Sequence, residues 1–412
     1  MRRSGVGLRV ALVSEHASPL ATLGGTDAGG QNVYVAELAR GLAGLGAAVT
    51  VYTRRDAEDL APEVEMAPGV TVAHVSAGPP APIPKDDLLP HMDAFAEGLA
   101  QAWAARPPEA VHAHFWMSGR AALAAARALE LPVLQTFHAL GVVKRRHQGS
   151  RDTSPPERIP EESRIIGAVD RVLVTCSDEL FEVIRLGGCR ERISVIPCGV
   201  DLRAFRPQGP ALARKRPCAR VVIVSRLVER KGIGNAITAL AQVPDCELLV
   251  AGGPPQRSLS GDPEYRRFGA LALEAGVAER VRFLGALPRS RVPALLRSAD
   301  VVACVPWYEP FGMVAVEAMA CGVPVLASAV GGQVDTVVDG VTGLHVPPRR
   351  PDEIAKGLRT LLDRPSLRQA MGKMGAARAR AYYGWDDVAR ATLAAYRRTL
   401  AQQTVPGAEA EA

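Results

Sequence analysis

The sequence predicts an α/β protein with two doubly wound parallel sheets, each covered by helices. Short runs of β-branched and apolar residues alternate with longer Ala- and Leu-rich stretches of helical periodicity. The alternation restarts after a Pro- and Arg-rich stretch at about residues 206–217. A length of 412 residues accommodates two to three domains of about 150 residues each. Two domains joined by a linker are therefore expected.

The expected strands follow one another in the order that such a fold requires, with a helical stretch after most of them. In the first half they are LRVALVS (8–14), AVTVYTR (48–54), VTVAHV (70–75), AVHAHF (110–115), PVLQTF (132–137), RVLVTC (171–176) and ISVIP (193–197). In the second half they are RVVIVSR (220–226), ELLVAGG (247–253), VRFLG (281–285), DVVACVP (300–306), PVLAS (324–328) and GLHV (343–346). Ligands of parallel sheets bind beyond the carboxyl ends of strands, so motifs that follow strands matter most.

Composition and charge exclude several classes of protein. The chain is 48% apolar, but no apolar run approaches the roughly 20 residues of a membrane span. The net charge of +6 comes from scattered arginines and short basic clusters, which argues against a nucleic-acid interface. Seven cysteines without a CxxC pair predict neither a disulfide framework nor a zinc site. The start of the chain resembles a first strand rather than an export signal, and a cytoplasmic location is expected.

A glycine-rich loop lies between the first predicted strand and the first predicted helix. Gly24, Gly25, Gly29 and Gly30 bring backbone without Cβ atoms to a helix N-terminus. Exposed N–H groups and the helix dipole favour a phosphate at such a place. The spacing is not the G-x-G-x-x-G of dinucleotide-binding folds, so a flexible turn is the alternative interpretation.

The second half carries a pair of cations after its first strand. Arg226 ends that strand, and Lys231 follows five residues later at the next helix. A guanidinium fork and an ammonium point charge together suit a diphosphate. Two solvated surface cations are the alternative interpretation of the same pattern.

The stretch EPFGMVAVE carries two carboxylates eight positions apart. Glu309 lies in a strand-to-helix loop, and the helix is predicted to begin near Gly312. Glu317 is then expected about two turns into an apolar helix, where a carboxylate needs a partner such as a ribose diol. The helix N-terminus at Phe311, Gly312 and Met313 offers free backbone N–H groups to a phosphate.

These motifs, in this order and over nearly the whole chain, resemble the retaining nucleotide-sugar glycosyltransferases of family 4. The resemblance implies the GT-B fold, with two Rossmann-like domains facing across a cleft. It implies an acceptor domain at 1–205 completed by a C-terminal helix at 385–402, a donor domain at 206–384 and a disordered tail at 403–412. In the same family pattern His138, just past a strand, lies at the anomeric centre, and a neutral loop histidine is the alternative.

The resemblance also implies roles for individual residues. Its donor-binding set is Gly29, Gly30, Arg226, Lys231, Glu309, Phe311, Gly312, Met313 and Glu317. Within this set Glu317 holds the ribose, Arg226 and Lys231 the diphosphate, and Glu309 the hydroxyls of the transferred sugar. The catalytic set is His138, Glu309, Arg226 and Lys231. His112 and His114 flank a strand end, and one is expected in the core and the other at the cleft.

Within the family the chain is similar to inositol-phosphate N-acetylglucosaminyltransferases of mycothiol synthesis and to sucrose-phosphate synthases. Its acceptor-binding set is Asn32, Lys85, Phe115, Ala139, Lys144 and Arg158. The mycothiol-type pattern has Tyr and Thr where this chain has Phe115 and Ala139, so two hydroxyl donors to phosphate are missing. Each lost hydrogen bond to the phosphate weakens its binding by about 1.5–3 kcal/mol. The expected acceptor is therefore a small polar molecule of specialised-metabolite or small-thiol biosynthesis, such as an unphosphorylated cyclitol, an amino-sugar, a thiol or an alcohol, and an inositol-phosphate or sucrose-phosphate type of acceptor is the alternative.

The implied chemistry needs neither a cofactor nor a metal. Resemblance implies a front-face displacement in which the leaving diphosphate helps to deprotonate the acceptor, with charge stabilisation by protein groups. The donor base, uridine or guanosine, contacts backbone near Gly285–Leu287 and is left open, as is a homodimer. A Rossmann oxidoreductase is disfavoured by the absent G-x-G-x-x-G, and a non-catalytic nucleotide-binding protein is the remaining alternative from another class.

Overall fold

The computed structural model describes residues 7–21, 29–215 and 217–403, which form two compact units. Unit 1 holds the described residues up to Pro197 and those from Trp385 onward, and unit 2 holds Cys198–Gly384. The sequence prediction set the boundary at residue 205. Gly24, Gly25 and residues 404–412 of the predicted tail lie outside the described residues, whereas Gln403 ends the last helix.

The helices and strands follow the predicted alternation. The elements of unit 1 are β1 (Arg9–Val13), α1 (Gly30–Gly44), β2 (Ala48–Arg54), β3 (Glu63–Ala67), β4 (Val70–Val75), α2 (Met92–Ala105), β5 (Ala110–His114), α3 (Trp116–Ala126), β6 (Val133–Thr136), α4 (Gly141–Gln148), α5 (Arg158–Ala168), β7 (Arg171–Val174), α6 (Ser177–Arg185) and β8 (Ile193–Val195). Those of unit 2 are β9 (Ala219–Val224), α7 (Ile233–Leu240), β10 (Cys246–Ala251), α8 (Pro263–Glu274), β11 (Val281–Gly285), α9 (Val292–Arg297), β12 (Val301–Cys304), α10 (Met313–Ala320), β13 (Val325–Ser328), α11 (Gln333–Thr336), β14 (Gly343–Val346), α12 (Pro351–Leu362) and α13 (Pro365–Tyr382). The final helix, α14 (Trp385–Gln403), belongs to unit 1.

The sheet of unit 1 has the strand order β3-β4-β2-β1-β5-β6-β7-β8 among the described residues. All neighbours are parallel except β3, which runs antiparallel to β4. Sequence analysis did not predict β3, because EVEMA is a short edge strand in which no residue is buried and no apolar run is present. The chain adds β2, β4 and β3 on one side of β1 and then β5 to β8 on the other side, so the strand order reverses between β1 and β5.

The sheet of unit 2 has the order β11-β10-β9-β12-β13-β14 and is parallel throughout the described residues. Its strands read as continuous apolar runs because both faces are buried by helices. The order reverses between β9 and β12, and the loops after these strands carry the charged motifs. The predicted class of two doubly wound parallel sheets is confirmed.

Helix α14 is anchored in unit 1 by polar contacts as well as by packing. The Tyr396 hydroxyl, on a fully buried side chain, lies 2.8 Å from Nδ1 of His112 on β5. Arg171 on β7 donates to Thr399 and to Gln402. In the parts of the chain that the structure describes, no helix is both long and apolar enough to cross a membrane.

Candidate active site

Lys231 and Glu309 form an ion pair at the carboxyl edge of the unit 2 sheet. Lys231 closes a short turn after β9, and Glu309 lies in the loop between β12 and α10. Nζ of Lys231 donates to Oε2 of Glu309, and both side chains are largely buried. Arg226 is exposed two residues beyond the end of β9. Lys231 is thus paired with a carboxylate of the same sheet edge.

Glu317 is a buried carboxylate on α10. This helix begins at Met313, so Glu317 lies just over one turn into it. The helix begins within one residue of the predicted Gly312, but the prediction of two turns was wrong because the residues from Met313 to Glu317 make only about one turn. The side chain is 2% exposed, and burial raises the pKa of Glu317 against the opposing effect of Arg289. Its second oxygen, Oε2, has no hydrogen-bond partner among the described residues.

Arg289, which sequence analysis missed, holds the first oxygen of Glu317. Its Nη2 lies 2.5 Å from Oε1 of Glu317, and its guanidinium stacks 4.6 Å from the ring centroid of Phe205. The position after β11, at the same sheet edge as Arg226, was a signal available in the sequence. It lies just beyond the stretch predicted to contact the nucleotide base.

The N-terminus of α10 packs closely against the glycines that follow β13. Gly312 is the N-cap residue, with φ +96°, and the first helical bonds to its carbonyl come from Ala315 and Val316. The amide of Met313 therefore has no acceptor within the helix. Behind this turn, a Cβ on Gly331 would lie 2.1 Å from the carbonyl oxygen of Glu309, so only glycine allows the close approach.

Three histidines meet at the carboxyl edge of the unit 1 sheet. His112 and His114 lie on β5, and both are fully buried. One of them was expected in the core and the other at the cleft; both are buried, and because residues two apart on a strand share a face, their ring centroids are 4.1 Å apart. His138 follows β6 with φ +61°, and its Nε2 lies 3.1 Å from Nδ1 of His114. Strained backbone of this kind is typical of functional sites.

The predicted acceptor residues Phe115, Ala139 and Arg158 come together in unit 1. Phe115 has φ +82° and is 5% exposed, and the guanidinium of Arg158 lies 4.9 Å from its ring centroid. Arg158 is itself buried, and donates to Glu162 at 2.8 Å, to the carbonyl of Ala139 at 2.5 Å and to Ser154 at 3.2 Å. Most of its donors are thus occupied by the protein.

Lys144 is likewise paired within unit 1. Its Nζ lies 3.0 Å from Asp152 and 2.8 Å from Ser154, the hydroxyl that Arg158 also contacts. Lys85 opens the short turn Lys85–Asp87, whose Asp86 lies 3.9 Å from Lys144. These cations are therefore interleaved with carboxylates rather than gathered into a purely positive pocket.

Asn32 and Gly29 make a helix cap. The Asn32 amide oxygen accepts from the Gly29 N–H at 2.9 Å, and its Nδ2 donates to the Ser18 carbonyl at 2.9 Å. Gly29 is the N-cap of α1 and Gly30 its first residue, and among the described residues no atom lies within 4 Å of a Cβ built on Gly29. The backbone N–H groups of the first turn of α1 have no acceptor within the helix itself.

Glu15 and His16, just beyond β1, are further polar residues that the sequence analysis did not single out. Glu15 is buried, and its Oε1 lies 2.6 Å from Nδ1 of His16. Its other oxygen accepts from Ser118 on α3. The His16 ring meets the Phe115 ring edge-on at 4.9 Å. In the sequence they are distinguished only as polar residues at the end of a buried strand. Many loops have this pattern, so it does not single out a functional residue.

Known proteins match this chain over nearly its whole length. Residues 28–204 match the family model described as Glycosyltransferase Family 4, and residues 211–378 the model described as Glycosyl transferases group 1. The D-inositol 3-phosphate glycosyltransferase of Kribbella flavida is 38% identical over 94% of this chain and 95% of that protein. The one from Mycobacterium marinum is 38% identical over 96% and 87%.

A solved structure agrees with these matches. The sucrose-phosphate synthase of Thermosynechococcus elongatus superposes with a TM-score of 0.88 at 32% identity, over 96% of this chain and 100% of that one. The family resemblance predicted from EPFGMVAVE and its upstream cations is confirmed. The chain is a glycosyltransferase that belongs to family 4 and has the GT-B fold.

Proposed function

We propose that this glycosyltransferase moves a sugar, with retention of configuration, from a UDP- or GDP-linked donor to a small polar acceptor that carries no phosphate. The observation that carries the donor half is Glu317. Its unpartnered Oε2 lies in a buried carboxylate one turn inside a helix whose N-terminus faces the same sheet edge as Arg226 and Lys231. A ribose diol supplies the missing donor, while the diphosphate takes the cations and the helix N-terminus.

The proposed reaction needs protein groups for charge stabilisation. The acceptor hydroxyl oxygen bonds to the anomeric carbon on the face from which the diphosphate leaves. The bond from that carbon to the diphosphate oxygen breaks, and the acceptor proton passes to a diphosphate oxygen. Arg226, Lys231 and the amides at Gly312 and Met313 stabilise the charge that grows on the leaving group. No metal is required for this stabilisation, because fixed positive groups already face the phosphates.

The acceptor half rests on Phe115, Ala139 and Arg158. Two of these lack the hydroxyls that would donate to a phosphate, and the guanidinium of the third is bonded to Glu162, Ser154 and a backbone carbonyl. A phosphate would have to displace these bonds without compensation from Tyr or Thr hydroxyls. The site therefore favours an uncharged polyol or amino-sugar acceptor.

The second candidate is transfer to inositol 3-phosphate, or to a sugar phosphate as in sucrose-phosphate synthase. The curated relatives carry the first activity in their names, and Asn32, Lys85 and Arg158 match the expected acceptor residues. The remaining alternative is a protein of this fold that binds nucleotide without catalysis.

Calorimetric titration with UDP, GDP and ADP tests the donor half. One nucleoside diphosphate should bind the wild type, and Glu317→Ala should weaken it by about tenfold to a hundredfold, as expected for one lost charge-assisted hydrogen bond. Glu274→Ala, at an exposed position near the end of α8, is the control. Binding of NAD without any nucleoside diphosphate would contradict the proposal.

Retention of configuration, independence of metal and choice of acceptor are tested by analysing the reaction product. Wild-type enzyme is incubated with sugar donors that carry the nucleoside diphosphate found to bind. The acceptors are myo-inositol, amino-sugars or inositol 3-phosphate. The anomeric proton coupling of the product, read by NMR, is expected to match that of the donor. Turnover should persist in EDTA. An inverted product would overturn retention, and complete loss of turnover in EDTA would overturn metal independence. Turnover restricted to inositol 3-phosphate would overturn the proposed unphosphorylated acceptor.

A further inference from the structure

The histidine at the back of the unit 1 cluster has a defined tautomer. The single proton of the Thr136 hydroxyl goes to the carbonyl of Leu173, at 3.1 Å. Thr136 can then only accept from Nε2 of His112, 2.9 Å away, so His112 carries its proton on Nε2. Nδ1 of the same ring accepts from the Tyr396 hydroxyl at 2.8 Å. Both ring nitrogens of His112 are therefore hydrogen-bonded, and the His114 ring lies tilted against this fixed ring, with 4.1 Å between the centroids.

The next contact in the cluster joins His114 to His138. Burial lowers the pKa of His138 to about 3 and holds the pKa of His114 well below its usual value, so both rings are neutral near pH 7. One nitrogen of the 3.1 Å contact between Nδ1 of His114 and Nε2 of His138 must therefore donate and the other accept. The two arrangements place the mobile protons on different atoms.

Nε2 of His114 decides between these arrangements. It is buried and has no hydrogen-bond partner among the described residues. If His138 donated, the proton of His114 would lie on Nε2 as a buried N–H without an acceptor. Such an N–H is rarer in folded proteins and costs more free energy than a buried nitrogen lone pair without a donor. If His114 donates, Nε2 carries only an unused lone pair. The second arrangement is favoured.

We propose that His114 is a positioning residue whose Nδ1–H donates to Nε2 of His138, so that His138 keeps its own proton on Nδ1. Tyr34 meets the His138 ring edge-on at 5.0 Å, and His114 stacks on it at 5.2 Å, so the ring cannot turn to exchange its nitrogens. Within the described residues Nδ1 of His138 is left as the ring nitrogen without a protein partner. It presents an N–H donor to a substrate oxygen, a role that rests on the proposed function.

NMR of the full chain labelled with ¹⁵N in its histidine rings tests the tautomer directly. The His138 signals are assigned by their loss in His138→Gln. In the wild type we expect His138 to be protonated at Nδ1 and His112 at Nε2. A wild-type His138 protonated at Nε2 overturns the inference, whatever the enzyme's activity.

Two substitutions of His114 then separate positioning from packing. His114→Asn keeps an amide N–H near the position of Nδ1, whereas His114→Leu keeps bulk without a donor. We expect Leu to shift His138 towards the Nε2–H form and to lower kcat about tenfold or more with little change in KM, and Asn to restore both. Equal kcat losses in the two variants, with an unchanged His138 spectrum, would contradict the positioning role.

Failure of the proposed function would look different. If His138→Gln retains full activity while the wild-type spectrum shows the Nδ1–H tautomer, the positioning by His114 stands and the catalytic assignment of His138 falls. If the Nδ1–H tautomer is absent while His138→Gln is inactive, the reverse holds. His74→Asn, a histidine whose ring contacts the Ala61 carbonyl at the surface, is the control for both measurements.

Discussion

Nη2 of Arg289, in the turn between β11 and α9, lies 2.5 Å from Oε1 of Glu317, just over one turn into α10. The carboxylate is 2% exposed and the arginine side chain 35% exposed, so one partner is dry and the other partly solvated. Burial of the carboxyl, the larger effect, raises the pKa of Glu317, whereas the guanidinium of Arg289 favours its ionised form. This ion pair therefore contributes to the stability of unit 2 and also positions Glu317 in the candidate donor site.

Removal of this arginine is expected to destabilise the fold. Arg289→Met leaves a buried carboxylate without its partner and should lower the free energy of unfolding by about 1–2 kcal/mol, since water can partly replace the exposed guanidinium. Adding Glu317→Gln should recover part of the loss. Urea unfolding of the two single variants and the double variant measures the coupling.

The control for that cycle is a surface pair. Arg267 and Glu264 lie 2.7 Å apart on α8 with both side chains exposed, and Arg267→Met should cost less than about 0.5 kcal/mol. A loss as small for Arg289→Met would mean that the buried pair contributes nothing.

The Lys231–Glu309 pair predicts opposite effects on nucleotide binding and on turnover. Glu309→Gln frees Lys231 from its carboxylate, so the affinity for a nucleoside diphosphate should stay the same or rise. Turnover should fall by about a hundredfold or more, because in the proposed function the hydroxyls of the transferred sugar lose a charged acceptor and gain a neutral one. Calorimetry with the diphosphate and a turnover assay with the sugar donor provide the two readouts.

Lys231→Gln is the companion variant. It removes the cation itself and should weaken the diphosphate and slow turnover together. If Glu309→Gln also weakened the bare diphosphate by tenfold, the competition between Glu309 and phosphate for Lys231 would be refuted.

Acceptor choice is predicted to change with two hydroxyls. The double variant Phe115→Tyr with Ala139→Thr adds the side chains of the mycothiol-type pattern and should raise kcat/KM for inositol 3-phosphate at least about tenfold. Activity with the preferred uncharged acceptor should change much less. Competition assays with both acceptors in one reaction measure the ratio, and Phe283→Tyr, in unit 2, serves as the control. An unchanged ratio would remove Phe115 and Ala139 as determinants of phosphate recognition.

The buried histidines predict acid sensitivity. Burial lowers the pKa of His112 and His138 from 6.5 to about 3, so between these values the unfolded chain binds protons that the folded chain does not. Stability is therefore fully present above about pH 6.5 and falls as the pH drops, by up to about 1.4 kcal/mol per pH unit for each histidine. Urea unfolding at pH 7.5, 6.0 and 5.0 measures this slope.

A matched variant separates these histidines from the carboxylates that also titrate in acid. His112→Asn removes one buried imidazole, and the slope between pH 6.5 and 5 should become shallower. His74→Asn should leave the slope closer to that of the wild type. A wild-type stability that does not change over this range would contradict the assignment.

Much of the fold and part of the site could be predicted from the chain because they depend on local patterns. Apolar runs separated by helical stretches specify parallel strands, and the spacing of Glu309, Gly312 and Glu317 places two carboxylates around one helix N-terminus. Strand β3 escaped prediction because an exposed edge strand has no apolar pattern to detect. The helix start near Gly312 was predicted to within one residue, and the turn count before Glu317 was wrong only because Met313 to Glu317 spans about one turn.

The sequence by itself determined the fold class, the family and the candidate donor residues, since each depends on residue types at short separations. Only the tertiary structure decided which side chains pair: Arg289 with Glu317, Lys231 with Glu309, and His114 with His138. The partners in each pair are separated by tens of residues along the chain. Their meeting depends on how parallel strands align at one sheet edge, and burial there, rather than residue type, sets the charge and proton position of each group.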